Sequence, residues 1–322
     1  MRIGLLNNLR AGRNDAQVQR LLQFIGNRPD VIHAETSSAD VVPEALADLA
    51  RQEVDVLIVN GGDGTLQYAL TEILGQHTFE GRVPMIAPLR GGRTNMTACD
   101  IGCDKDAVRG MAGLIEDIEN GRLDERVTPR PVLRVRHGID RESEYGMFFG
   151  LGVIHRAIEL NHQLFDNERA RKIQGAIGAT MVTAGLVGRL AVGDTDGILS
   201  PDKVQVIIDG EPQERGEFYL GIASSLDRLF SGMRPFWGEG AGGVKFSTIA
   251  ADAHRIPGAL AGILRGKPRS YVTEENGYTS RNARRVELCL DCGFTVDGEL
   301  FDPEPGRRVE LTADHTVQFV RT

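Results

Sequence analysis

The sequence predicts an amino-terminal open parallel α/β domain followed by a carboxy-terminal antiparallel β-sandwich domain, with units at residues 1–125 and 126–322 and a final strand that could return to the first unit. Three observations predict it. Residues Val54 to Leu74 read as an apolar strand, a glycine-rich turn and a helix. Strand and helix patterns alternate as far as Asn120, which gives a mostly parallel sheet. Beyond Gly121, short strand-like runs dominate and helices are few.

In chain order, Arg2 to Leu6 reads as the first strand and Asn7 to Gly12 as a polar loop. Val18, Leu21, Leu22 and Ile25 mark a helix opened by Asn14 or Asp15. Val31 to Ala34 is a second strand, and Pro43 to Gln52 a helix with proline in its first turn. Val54 to Val59 is the central strand, and Leu66, Ala69, Leu70, Ile73 and Leu74 repeat at helical spacing after it. Val83 to Leu89 runs into a second glycine loop, Arg90 to Asn95, and Asp104 to Asn120 reads as a helix. Two glycine loops at strand ends converge on one crevice, where open α/β sheets place ligands.

The later strands are expected at Val132 to Arg136, Glu144 to Leu151, Val204 to Asp209, Glu217 to Ala223, Val244 to Ile249, Arg285 to Leu290, Phe294 to Val296, Arg308 to Thr312 and Thr316 to Val320. Helical patterns interrupt at about Ile154 to Leu190 and Asp252 to Leu264.

Asn60-Gly61-Gly62-Asp63-Gly64-Thr65 carries the chemistry of the first half. Three glycines let the backbone approach a bulky anion, and the helix amino terminus favours phosphate. A carboxylate among phosphates would be repelled, so Asp63 is expected to hold a cation or accept a proton. A simple Asp-Gly turn is the other reading of the same residues.

The net charge of −8 argues against a nucleic-acid partner. Met1 to Leu6 is too short for a signal peptide, and Ile173 to Gly188 is too short and too rich in Gly and Ala to span a bilayer. A cytoplasmic protein is expected, with contact to a membrane surface left open. Cys99, Cys103, Cys289 and Cys292 read as buried thiols rather than a zinc site. Phe230, Met233, Phe236 and Trp237 lie in one segment with Arg228 and Arg234, which reads either as packing or as a loop that dips into a membrane.

Four segments in order, Asn8-x-x-Ala11-Gly12, Gly61 to Leu66, Pro88 to Asn95 and Asp297-Gly298-Glu299, resemble the diacylglycerol kinase catalytic-domain family, which includes sphingosine and ceramide kinases and soluble bacterial lipid kinases. The resemblance implies an ATP- and Mg²⁺-dependent lipid kinase whose active site lies in the cleft between the two domains. It implies that Asn8, Gly12, Thr36, Gly61, Gly62, Gly64, Thr65, Gln67, Gly92, Thr94 and Asn95 line the nucleotide. Asp63 would hold Mg²⁺, directly or through water, and Glu299 or Asp297 would take the hydroxyl proton. Without the resemblance, Asp297-Gly298 is a hairpin turn.

This chain departs from the family at Leu9, usually proline, and at Met96, where an acid commonly follows the asparagine. The missing acid tilts the acceptor from diacylglycerol toward a ceramide- or sphingoid-like lipid. The segment Trp237 to Gly243 keeps only Glu239 of an acidic metal-binding stretch, and His155 reads as structural. An NAD kinase-like enzyme, or an inactive lipid- or nucleotide-binding regulator, is the alternative reading.

Overall fold

The computed structural model describes residues 1–10, 15–138, 142–164, 199–302 and 307–322. The first third alternates β1 (Ile3–Asn8), α1 (Asp15–Gly26), β2 (Val31–Thr36), α2 (Val42–Arg51), β3 (Val56–Gly61), α3 (Asp63–Gly75), β4 (Met85–Arg90), α4 (Met96–Asp100) and α5 (Ala107–Glu119). The strands lie in the order β2-β1-β3-β4, all parallel. The central strand β3 is buried at every position, as a continuous apolar run covered on both faces requires. Alternate residues separate the faces. Leu6, Leu57 and Val59 pack with apolar residues of α2 and α3. Leu5, Val56 and Ile58 pack with those of α1 and α5.

The remainder is antiparallel. One layer holds β5 (Val127–His137), β6 (Glu142–Gly146), β8 (Asp202–Ile208), the short β9 (Glu211–Pro212), β13 (Arg285–Leu290) and β16 (Arg307–Val320). The facing layer holds β7 (Phe148–Gly152), β10 (Glu217–Ser224), β11 (Val244–Ala250), β12 (Tyr278–Ala283), β14 (Phe294–Val296) and β15 (Glu299–Phe301). Their inward residues form one core. Val204, Val206, Val286, Leu288, Val309 and Leu311 meet Phe149, Phe218, Phe246, Phe294 and Val296. β16 also lies parallel to β4, with Phe319 opposite Ile86, so the last strand joins the antiparallel part to the α/β sheet. α6 (Val153–Leu164) and α7, Ile256–Ile263, complete the described elements used below.

Several segments differ from the sequence expectation, each for a local reason. Glu144 to Leu151 is two strands, β6 and β7, because the chain changes layer at Met147. Arg308 to Val320 is one strand with an irregularity between Thr312 and His315. The α5 helix begins at Ala107 because Asp106 caps it, accepting from the Val108 and Arg109 N–H groups at 3.0 and 3.1 Å. Among the described residues the polar strand β12 pairs only with β11, so as an edge it lacks the apolar run that betrays an inner strand. Residues 165–190 of the expected long helix, including Ile173 to Gly188, lie outside the described residues, as does Gly12. Among the described residues no helix is long and apolar enough to cross a membrane.

Phe230, Met233 and Phe236 pack against the α/β core, and Trp237 against a second cluster around α7. These four side chains are therefore partly buried by packing, and Arg228 and Arg234 remain exposed.

The β14–β15 hairpin hangs on Phe294, which is fully buried and stacks on Phe149 and Phe301 at centroid distances of 5.4 and 5.2 Å. Phe294→Ala should cost about 3–5 kcal/mol in urea unfolding. Loss of less than about 1 kcal/mol would show that the hairpin is held by other contacts.

Candidate active site

The two glycine loops meet backbone to backbone. A methyl group on Gly92 would stand 2.3 Å from the Gly62 Cα, and one on Gly91 would stand 2.5 Å from Asn60 Oδ1. Only glycine fits at such an approach. Beneath the loops lies a buried amide pair, Asn60 Nδ2 donating to Asn7 Oδ1 at 2.7 Å, with Asn7 Nδ2 3.2 Å from His33 Nε2. Asn8 Nδ2 donates to Thr65 Oγ1 at 2.8 Å, and Leu9 N donates to Thr36 O at 3.0 Å. The ends of β1, β2 and β3 are thereby tied together. Thr36 is buried, and its Oγ1 has no partner among the described residues.

The second loop is held by Asn95, whose φ of +50° lets its amide fold back onto Gly92. Its Oδ1 accepts from Gly92 N at 2.7 Å, and its Nδ2 donates to Gly92 O at 2.8 Å. Thr94 is partly exposed on the same loop. Met96, standing where the family often has an acid, is buried in the core. Gln67 is fully buried, and its Nε2 donates to Glu144 Oε2 at 2.6 Å. It joins α3 to β6 instead of lining the crevice.

Asp63 opens α3, with Gly62 as its cap residue. Its Oδ1 accepts from the Thr97 N–H at 3.3 Å, at the start of α4. Burial raises its carboxyl, and the N–H groups of Met96, Thr97 and Asn95 oppose that rise.

The late acids arrive from the other part of the molecule. Val296 pairs with Glu299, so Asp297-Gly298 is a two-residue hairpin turn, with φ of +48° and +98°. Asp is among the residues that accept such a conformation. The turn and the site are thus the same residues. Asp297 is buried, and its Oδ2 accepts from the Met147 N–H at 2.8 Å. Its Oδ1 has no hydrogen-bond partner among the described residues. Burial pushes its carboxyl well up, and the nearby charge of Asp63 adds to the rise.

Glu299 lies over the first turn of α3, where a methyl group on Gly64 would stand 2.8 Å from its Oε1. Tyr68, four residues after Gly64 on the same helix face, lies near enough for the charge of Glu299 to act on its phenol. Its phenol is raised by burial first and then by the charge of Glu299. Helical spacing from Gly64 is the signal that could have found Tyr68, and the sequence reading did not use it.

Asp63, Asp297 and Glu299 thus sit at one junction, beside the two glycine loops. The donors are all carboxylate oxygens, which suit a hard cation, and Mg²⁺ sites commonly use one or two carboxylates with substrate phosphates. The Oδ1 of Asp297, without a partner among the described residues, and the charge of Asp63 acting on Asp297 fit such an ion. Among the described residues no three or more His, Cys, Asp or Glu side chains gather so as to hold a metal ion, so the three carboxylates are not a preformed metal site. His155 is buried against Gly293, and burial lowers its pKa.

Residues 2–124 match the diacylglycerol kinase catalytic domain family. Solved structures from Bacillus anthracis str. Sterne share the fold. A candidate diacylglycerol kinase is 18% identical with a TM-score of 0.68, covering 100% of this chain and 96% of that one. A second candidate is 17% identical with a TM-score of 0.64, covering 100% and 97%. A diacylglycerol kinase is 16% identical with a TM-score of 0.61, covering 100% and 97%. No curated protein matches the sequence.

Asp297 provides a pH test. Its folded-state pKa lies above the ordinary 3.8, so the folded chain holds that proton to higher pH than the unfolded chain. Stability then falls as pH rises from about 3.8 through the raised value. Asp297→Asn, which can still accept from Met147, removes this loss. Its Tm relative to the parent should rise between pH 4 and pH 8, as read by calorimetry; a Tm difference independent of pH would refute the assignment.

Proposed function

We propose, from an amino-terminal segment that belongs to the diacylglycerol kinase catalytic-domain family, that this protein is an ATP- and Mg²⁺-dependent lipid kinase transferring the γ-phosphate to a lipid hydroxyl. The observation that carries the reading is the approach of Glu299 to Gly64. It brings an acid from the antiparallel part onto the glycine turn of the α/β part.

Phosphoryl transfer needs positioning and charge neutralisation more than covalent chemistry. The paired loops at Gly61-Gly62 and Gly91-Gly92 would place backbone N–H groups against phosphates, with the amino terminus of α3 behind them. Asp63, with Asp297 beside it, would hold Mg²⁺. When bound, the metal–nucleotide pair supplies the phosphoryl group and neutralises its developing charge. Glu299 would accept the proton of the lipid hydroxyl as its oxygen bonds to the γ-phosphorus and the bond to the β-phosphate oxygen breaks. Tyr68, whose phenol lies within the field of Glu299, would help to position it. Asn8 and Asn95 act on the loops themselves, tying one to Thr65 and closing the other on Gly92. Diacylglycerol and ceramide-like lipids both present a suitable primary hydroxyl. The buried Met96 in place of an acid keeps the second as the favoured acceptor.

The test is phosphate transfer from labelled ATP to micelles of diacylglycerol, ceramide, sphingosine or monoacylglycerol, with NAD as a separate soluble acceptor. Labelled lipid is expected. Label on NAD alone would replace this reading with an NAD kinase, and ATP binding without transfer would favour the regulator.

Three variants test the residues. Asp63→Asn should abolish turnover with the fold retained, and Glu299→Gln should lower kcat by about 10²–10⁴-fold. Gly64→Ala is sharper. A methyl group there clashes only with the movable end of Glu299, and alanine favours a helix. Its Tm should therefore hold or rise while kcat falls. Unchanged kcat in Gly64→Ala would detach Glu299 from the reaction.

A further inference from the structure

A second charged feature lies outside this site. A cavity of about 550 Å³ opens between the segment after β10, the loop after α7, and Asp100 at the end of α4. Six cationic side chains line it: Arg130, Arg228, Arg234, Lys245, Arg265 and Lys267. Among the described residues two acids do, Asp100 and Asp227.

Both acids are already engaged. Arg130 reaches Asp100 Oδ2 at 3.2 Å and Asp227 Oδ2 at 3.1 Å. Lys245 Nζ meets Asp227 Oδ1 at 2.5 Å and the Leu226 carbonyl at 2.9 Å. These pairs build a floor whose acids are spent. The other four cations, Arg228, Arg234, Arg265 and Lys267, are exposed and make no side-chain ion pair or hydrogen bond among the described residues. Six cations against two acids leave a local charge of +4 in a chain whose net charge is −8.

The two cationic segments are held in register by Arg234 N donating to Leu264 O at 2.9 Å, and Arg228 N donates to Asp100 Oδ1 at 2.8 Å. Between Arg228 and Trp237, Phe230 and Met233 pack against the α/β core while Phe236 lines the cavity beside the cations, so the open face of this segment offers mainly charge. Unpaired guanidinium and ammonium groups around one concavity select an oxyanion with several acceptor oxygens. A concave wall also concentrates the field of its charges.

We propose that this cavity binds a phosphate group, borne either by the headgroup of an anionic membrane lipid or by a free phosphate. The inference does not rest on the kinase reading, since it requires neither ATP nor turnover. With a headgroup bound, the +4 face would turn this otherwise acidic chain toward an anionic bilayer.

The test uses the full chain without nucleotide. Sedimentation with phosphatidylcholine vesicles, with and without phosphatidylglycerol, reads headgroup binding, and titration calorimetry with inorganic phosphate reads the free anion. The comparison protein carries Arg234→Glu, Arg265→Glu and Lys267→Glu. All three side chains are exposed, and an unchanged Tm verifies the fold; Arg234→Gln with Lys267→Gln is the milder substitute if it does not.

Binding to phosphatidylglycerol vesicles that weakens with salt and falls about 100-fold in the variant supports the proposal and assigns the phosphate to lipid. Phosphate binding lost in the variant, with no vesicle binding, supports it and assigns the free anion. Binding to neither, or binding that the charge reversals leave unchanged, overturns it.

Discussion

The hydrogen bond from the Met147 N–H to Asp297 Oδ2, at 2.8 Å, is the contact on which the candidate site depends. Met147 is where the chain leaves one layer of the sandwich and enters the other. Its carbonyl accepts from the Ser224 hydroxyl at 2.7 Å, so both its backbone groups are occupied at the crossing. A carboxylate from the β14–β15 turn fills the gap in the ladder, and Glu299, two residues on, is carried over α3. Gly146 and Gly64 leave room for the two acids. A methyl group at either would meet Asp297 or Glu299, at 2.5 or 2.8 Å. The sandwich therefore delivers its acids to the α/β sheet through a defect in its own strand pairing.

Closeness of like charge follows from the same arrangement. Asp297 is buried and near Asp63, and both carboxyls are raised. Such a pair costs stability in the resting protein unless a proton or a cation stands between its members. Stability given up at a junction of this kind is characteristic of a site built to receive charge. The basic cavity near α4 shows the opposite imbalance, with cations in excess over their acids. The two regions adjoin the same short helix, since Thr97 N donates to Asp63 and Asp100 lines the basic cavity.

The glycine loops show how much local pattern can convey. An apolar strand followed by Gly-Gly-Asp-Gly and helical spacing places Asp63 at a strand end and helix start, where it is found. The parallel order and the antiparallel character of the second part were also legible, because buried strands must be apolar and crossover helices must be amphipathic. The polar strand β12, the break at Met147 and the uninterrupted β16 were not. Each depends on which neighbours a strand finds, and local composition holds no record of neighbours. Gln67 shows the same limit: its motif position suggests the nucleotide loop, but its helix face turns it to Glu144.

By itself the sequence determined the strand–turn–helix that carries Asp63, the alternation that makes a parallel sheet, and the turn at Asp297-Gly298, because backbone sterics and burial periodicity act within a few residues. Tertiary structure alone decided that the two glycine loops touch, that Glu299 rests on Gly64 with Tyr68 beside it, and that four unpaired cations share one cavity. Those contacts join residues far apart along the chain. Side-chain shape and strand pairing set them, and a linear pattern carries neither.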